Sequence, residues 1–112
     1  MPTILLVDDD AISRYVLKGV LEERGYSVLS TAPQQALDIT DGDAASIDVL
    51  VTDIRMGRVN GFEVARSLLE RLPDLKIIYF SGHPYPECSL IKPFTPEELV
   101  AVIEAKIAEA HV

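Results

Sequence analysis

Three acidic residues follow directly on an apolar segment near the start of the chain. The segment "TILLV" covers residues 3–7, and Asp8, Asp9 and Asp10 come next. Carboxylates held close together repel one another unless a cation neutralises them or some of them are protonated. A hard divalent ion such as Mg2+, which prefers oxygen ligands, removes that repulsion. This stretch therefore predicts a magnesium site.

Three later apolar segments also end in a group that suits phosphoryl chemistry. They lead into Asp53, Ser81 and Lys92. A carboxylate can act as a nucleophile and form an aspartyl phosphate, whereas an ammonium group and a hydroxyl group bind phosphoryl oxygens. Taken singly, each residue is explained as well by a turn, a loop or the surface. Together they favour a phosphoryl-accepting site, because each group that this chemistry needs stands at the end of a separate segment.

The apolar segments alternate with helical patterns. Short apolar runs predict strands, and apolar residues spaced three and four apart predict helices. Strands are expected at residues 3–7, 26–31, 47–52, 75–80 and 89–91, and helices at 11–24, 33–40, 60–71 and 95–109. Near-continuous apolar strands indicate a doubly wound α/β fold, with a five-stranded parallel sheet covered on both faces. Such sheets bind ligands at the carboxyl ends of their strands, where the polar groups lie.

The composition limits the classes of function. The chain has 112 residues and a formal charge of −8, so we expect a single domain over residues 1–112 with no output domain and no direct binding of nucleic acid. No segment approaches ~20 consecutive apolar residues, so no membrane span is expected. The start of the chain is not typical of a secretory signal, and Cys88 is the single cysteine. These features predict a cytoplasmic protein without an internal disulfide.

Four motifs carry a resemblance to a known family. They are "LLVDDD" at 5–10, "VTDIRMGRVNG" at 51–61, "YFSG" at 79–82 and "KPF" at 92–94. With these motifs in this order, the chain resembles a response-regulator receiver domain of the CheY-like type, the phospho-accepting module of two-component systems. The resemblance covers essentially the whole chain and implies a sheet with strand order 2-1-3-4-5.

The resemblance also implies a metal site. Asp8, Asp9 and Asp53 would hold Mg2+, and the main-chain carbonyl of Arg55 would be a further ligand. Asp53 would in addition be the phospho-acceptor.

Two further residues would act on the phosphoryl group by the same resemblance. Ser81 would donate a hydrogen bond to it, Lys92 would pair with it, and the Lys92–Pro93 bond would be cis. The phosphoryl donor would be a sensor histidine kinase or a phosphotransfer protein, and the output would be a protein–protein interaction or onward phosphotransfer. No activity is expected beyond self-catalysed phosphorylation and dephosphorylation, so the chain is not expected to be an enzyme.

Two other functions remain open from the sequence. The first is a pseudo-receiver that binds partners without being phosphorylated. The second is a phosphatase that works through an aspartyl phosphate, although such enzymes commonly place a second acid two residues after the nucleophile, where this chain has Arg55.

The connection between Ser81 and Lys92 departs from the family pattern. Only ten residues separate them, and Pro84 and Pro86 stand in the middle. A parallel crossover normally needs a dozen or more residues and a helix, and proline disrupts a helix interior. We therefore predict that the fourth helix of the ordinary receiver is absent and replaced by a loop. In this respect the chain resembles an alphaproteobacterial subgroup of stand-alone receivers with a remodelled or missing fourth helix.

Two single positions also differ from the family pattern. Ser89 stands three residues before Lys92, where receivers often carry a tyrosine or phenylalanine that responds to phosphorylation. Gly57 stands where the family often has proline, so we expect a freer backbone after Asp53.

Overall fold

The computed structural model describes residues 2–109. The strands are β1 (Thr3–Val7), β2 (Ser27–Thr31), β3 (Val49–Asp53), β4 (Lys76–Ser81) and β5 (Cys88–Ile91). The helices are α1 (Ala11–Glu23), α2 (Pro33–Leu37), α3 (Asp41–Ala45), α4 (Gly61–Arg71) and α5 (Pro96–Ala108). No helix among these residues is both long enough and apolar enough to cross a membrane.

The five strands form one sheet in the order β2-β1-β3-β4-β5, and every neighbouring pair is parallel. The predicted fold class and strand order are therefore confirmed. Because successive side chains of a strand point to opposite faces, each central strand supplies two cores. In β1, Ile4 and Leu6 pack on the side of α1 and α5, whereas Leu5 and Val7 pack on the side of α2, α3 and α4.

Short polar side chains fix the starts of the three long helices. Asp10 caps α1 by accepting hydrogen bonds from the main-chain N–H groups of Ile12 and Ser13. Asn60 caps α4, and Thr95 caps α5 in a reciprocal arrangement with Glu98. Such caps satisfy N–H groups that the first helical turn leaves unpaired. The starts of α1, α4 and α5 are therefore set by residues next to each helix in the chain.

The stretch between β2 and β3 differs from the prediction of one helix at 33–40. It contains two short helices, α2 and α3, because Thr40 accepts a hydrogen bond from the N–H of Asp43 and starts a new helix at Asp41. The described residues therefore contain five helices, where the sequence predicted four. Because of the added helix, the helix at Gly61–Arg71 is the fourth in chain order. The predicted missing helix concerned a later segment, the connection after β4.

The connection between β4 and β5 is the segment to which that prediction referred. Residues 82–87 form bends and turns, and the described part of the chain has no helix between Ser81 and Cys88. Main-chain bonds from Tyr85 N–H to the His83 carbonyl and from Cys88 N–H to the Tyr85 carbonyl hold the segment in a tight path. The six residues therefore connect β4 to β5 without a helix.

Candidate functional site

The loop after β1 brings the first acidic residues to the carboxyl edge of the sheet. Asp8 has a side chain that is 1% exposed, whereas Asp9 is exposed. The main-chain N–H of Asp8 donates to the Thr31 carbonyl at 3.3 Å, which continues the pairing of β1 with β2. Asp8 Oδ1 accepts a hydrogen bond from the N–H of Asp10 at 3.0 Å. Asp8 is thus held on a rigid edge while Asp10 serves the helix.

Three carboxylates converge at this edge. Asp53 is the last residue of β3, and β3 lies next to β1 in the sheet. One carboxylate oxygen from each of Asp8, Asp9 and Asp53 can be chosen so that all lie within 4.8 Å of one another. The sequence predicted this convergence, and the register of the parallel strands produces it.

Lys92 balances part of this charge. Its Nζ lies 2.7 Å from Asp53 Oδ2 and 4.0 Å from Asp8 Oδ2. The same Nζ lies 5.2 Å from the centre of the Phe80 ring, a cation–π distance. The Lys92–Pro93 bond is cis, as predicted, and the Lys92 main-chain N–H donates to the Ser81 carbonyl at 2.8 Å. The ammonium group is therefore directed at the carboxylates by its main chain and by a ring beneath it.

The electrostatics show that the site lacks positive charge. Burial raises the pKa of Asp8 to about 6; the Asp10 N–H and Lys92 oppose this rise, and Asp53 adds to it. Burial by itself lowers the pKa of Lys92, but its hydrogen bond with Asp53 and the charges of Asp53, Asp8 and Asp9 raise it above the ordinary value. A single ammonium group thus leaves one buried carboxylate poorly stabilised in its charged form.

The residues present fit a divalent cation. The donor set is three carboxylates, the ligand type that Mg2+ prefers. Asp8 Oδ2 is buried and has no hydrogen-bond partner, although buried polar atoms are nearly always paired. An ion held by the three carboxylates would pair this atom and offset the burial and the Asp53 charge that together raise the pKa of Asp8.

Arg55 and Ser81 lie at the rim of the same site. Arg55 follows β3 by two residues and its side chain is exposed. The role of its carbonyl as a metal ligand stays a prediction. Ser81 ends β4, one residue beyond the position paired with Asp53, and is fully buried. Its Oγ accepts a hydrogen bond from the N–H of His83 at 3.1 Å.

A β-bulge in β5 contains Ser89, the residue at the position where receivers often carry an aromatic side chain. Tyr79 pairs with Cys88, but the next residue, Phe80, pairs with Leu90, so Ser89 is the extra residue of the bulge. Ser89 is exposed, and a bulge redirects side chains locally. Aromatic contacts form elsewhere along β4. The centre of the Phe62 ring lies 5.0 Å from that of Tyr79 and 6.1 Å from that of Tyr85, and the Phe80 ring lies 5.6 Å from the Phe94 ring.

Two glycines shape the loop after Asp53. Gly57 has φ +69°, a left-handed conformation that proline cannot adopt. Gly61 begins α4 so close to β3 that a Cβ there would overlap the carbonyl oxygen of Asp53, while its N–H donates to the Ile54 carbonyl at 2.8 Å. Gly61 therefore lets the helix approach the acceptor strand, a role that the sequence reasoning did not assign.

Arg14 is a second residue that the sequence reasoning did not single out. Its Nη1 donates to the main-chain carbonyl of Asp8 at 2.6 Å. The signal was available in principle, since Arg14 follows the cap Asp10 by four residues and helical side chains lean towards the helix start. It was hidden because long basic side chains on a helix are usually solvent-exposed.

Comparisons with known proteins agree with this geometry. Residues 4–104 match the model of the response regulator receiver domain family. The transcriptional regulatory protein CpxR of Escherichia coli is 33% identical over 99% of this chain and 51% of its own length. The sensor kinase CckA of Brucella abortus is 34% identical over 72% of this chain but 9% of its own length. The chain thus spans about half of one relative and a small part of the other.

A solved structure extends the similarity to three dimensions. The crystal structure of a response regulator receiver protein from Sinorhizobium medicae superposes with a TM-score of 0.81 at 32% identity, covering 95% of this chain and 94% of that one. The family match does not by itself place the chain in the alphaproteobacterial subgroup. The sheet order, the acidic edge and the family match agree with one another, and the chain belongs to the response regulator receiver domain family of two-component signalling systems.

Proposed function

We propose that the chain is a phospho-accepting response regulator, switched by Mg2+-dependent phosphorylation of Asp53. The observation that carries this proposal is the position of the Asp53 carboxylate. It lies 2.7 Å from the Lys92 ammonium and beside the carboxylates of Asp8 and Asp9. A nucleophile, a cation for the phosphoryl oxygens and an oxygen ligand set for a metal therefore share one edge of the sheet.

The chemistry is a phosphoryl transfer. One Asp53 oxygen is hydrogen-bonded to Lys92, which leaves the other oxygen free to attack phosphorus. The new O–P bond forms as the N–P bond of a donor phosphohistidine breaks, and the imidazole leaves and takes up a proton. The product is a mixed anhydride on Asp53.

The surrounding residues stabilise the transferred charge. Lys92 moves its hydrogen bond from the carboxylate to a phosphoryl oxygen, and the Ser81 hydroxyl donates to another. When bound, Mg2+ would neutralise further phosphoryl charge from its place among Asp8, Asp9 and Asp53. The receiver would then act by a protein–protein interaction or by passing the phosphoryl group on, in the cytoplasm and without another enzymatic activity.

Intact mass measurement tests this proposal. The protein is incubated with Mg2+ and a small-molecule phosphodonor, in parallel with Asp53→Asn and the control Asp74→Asn. Asp74 is exposed and lies before β4, at the opposite edge of the sheet. We expect one added phosphoryl group in the wild type and in Asp74→Asn, and none in Asp53→Asn or in EDTA.

Other results would point to the alternatives. Mg2+ binding without any phosphorylation of the chain, even when a phosphorylated donor protein is supplied, would favour a pseudo-receiver. Release of phosphate from many unrelated phosphate esters at a high rate would favour the phosphatase.

The surface of α1 next to the acidic edge suits a protein donor. Ile12, Tyr15 and Val16 are 76%, 82% and 53% exposed, and they follow one another at helical spacing directly after the Asp8–Asp10 loop. An exposed apolar patch is typical of an interaction site. We propose that the donor histidine kinase or phosphotransfer protein docks here, because a docked partner must place its histidine at Asp53.

A comparison of donors tests this surface. Tyr15→Ser should slow phosphorylation by a protein donor at least tenfold and leave phosphorylation by a small molecule unchanged. The control Leu69→Ser changes a partly exposed apolar residue on α4. Equal loss with both kinds of donor, or equal loss in the control, would contradict this docking site.

A further inference from the structure

Arg14 makes a contact for which neither the motifs nor the proposed phosphoryl chemistry gives a reason. It lies in the second turn of α1, is partly buried, and its Nη1 donates to the Asp8 carbonyl at 2.6 Å. Charge-assisted hydrogen bonds of this length are stronger than neutral ones. A long, flexible side chain has therefore been ordered against one main-chain atom of the acidic loop.

That atom controls the relation between two of the carboxylates. The Asp8 carbonyl belongs to the peptide plane that joins Asp8 to Asp9. Holding the oxygen fixes the rotation of this plane, and the plane sets the direction in which Asp9 leaves the chain. Asp9 is exposed, so packing does not fix its direction.

The other polar atoms of Asp8 are already assigned. Its N–H pairs with the Thr31 carbonyl and its Oδ1 accepts from the Asp10 N–H. Oδ2 is buried without a hydrogen-bond partner, and Lys92 Nζ lies 4.0 Å from it. With the carbonyl held by Arg14, Oδ2 is the atom left over for a cation.

We propose that Arg14 is a positioning residue for the cation site, which orients the Asp8–Asp9 peptide so that both carboxylates face the same ion. The inference rests on the proposed binding of Mg2+ and deepens it. Residues that orient metal ligands commonly change metal affinity by 10–100-fold when removed. We expect the lower end for Arg14, about tenfold, because Mg2+ keeps several waters and relies on few protein ligands.

The sign of the effect separates positioning from simple electrostatics. Arg14 carries a positive charge close to a cation site, so its charge alone repels Mg2+. If charge were its only influence, a neutral residue at position 14 would tighten Mg2+ binding. If it positions the loop, loss of the hydrogen bond weakens Mg2+ binding despite the removed repulsion.

Mg2+ titration followed by backbone amide NMR shifts tests this inference. The variants are Arg14→Ala, without charge or donor, Arg14→Lys, which keeps a charge and a donor of similar reach, and the control Lys18→Ala. Lys18 lies one turn further along α1, and its side chain takes part in no ion pair among residues 2–109. The midpoint of urea unfolding in EDTA is measured for each variant to separate folding from Mg2+ binding.

We expect Arg14→Ala to bind Mg2+ about tenfold more weakly, Arg14→Lys to recover most of the affinity, and Lys18→Ala to bind as tightly as the wild type or more tightly. Equal or tighter binding in Arg14→Ala would overturn the inference and leave the proposed function intact. A loss in Arg14→Lys as large as in Arg14→Ala would also overturn it. If the wild type itself did not bind Mg2+, this inference and the proposed Mg2+-dependent function would both be wrong.

Discussion

Replacing Asp8 by asparagine isolates the cost of its buried charge. Burial raises the pKa of Asp8 from 3.8 to about 6, so the folded state holds this proton more tightly than the unfolded chain. Between these two pH values the folded protein binds more protons, and the free energy of unfolding falls as pH rises. At ~1.36 kcal/mol per pH unit, the difference costs the folded state about 3 kcal/mol at pH 7.

Asp8→Asn should therefore stabilise the metal-free protein at pH 7. The amide keeps an oxygen for the Asp10 N–H and removes the charge. The gain is limited to about 1–3 kcal/mol, because the amide nitrogen takes the place of Oδ2, which has no hydrogen-bond partner. At pH 4.5 the wild-type carboxyl is mostly protonated in the folded state, so the charge cost falls to about 1 kcal/mol.

Urea unfolding in EDTA at pH 7 and pH 4.5 measures both values. The control Asp74→Asn changes an exposed carboxylate away from the cluster, and surface changes usually stay within ~0.5 kcal/mol. Saturating Mg2+ should stabilise the wild type and leave Asp8→Asn nearly unaffected, because only a state that binds the ion is stabilised by it. An asparagine variant less stable than the wild type at pH 7, or an equal difference at both pH values, would refute the reasoning.

Three further predictions follow from single contacts. Lys92→Met should slow phosphoryl capture at least tenfold yet bind Mg2+ as tightly or more tightly, because it removes a cation 2.7 Å from Asp53; weaker Mg2+ binding in a titration would contradict this. Gly61→Ala should destabilise the fold by more than ~2 kcal/mol in urea unfolding, since its Cβ would overlap the carbonyl of Asp53. The control Gly19→Ala has open space and should stabilise α1 by ~0.5–1 kcal/mol. Gly57→Pro should lower the unfolding midpoint because its φ of +69° excludes proline; an unchanged midpoint would show that the loop refolds around it.

Much of the fold follows from local patterns. The apolar runs and the helical patterns between them predict the sheet and its layers, because the spacing of apolar residues shows which face of each element is buried. Capping residues such as Asn60 and Thr95 can likewise be predicted from the sequence, since each cap forms its hydrogen bonds with the residue three positions later. The absence of a helix between Ser81 and Lys92 follows from the ten-residue length of this connection and from its two prolines.

The candidate site was predictable to the extent that it lies at strand ends. Asp8, Asp53 and Lys92 converge because parallel strands place their carboxyl ends at one edge, and this holds for any sequence with that strand order. The sequence by itself therefore determined which groups meet and what chemistry they suit.

Tertiary structure alone decided how those groups meet. The raised pKa of Asp8, the contact of Arg14 with its carbonyl and the close approach of Gly61 to β3 depend on distances between segments far apart or on the exact path of a loop. The bulge at Ser89 likewise needs the pairing of two strands before it can be seen. Local sequence sets propensities for short segments, whereas burial and close approach arise only once those segments are packed together.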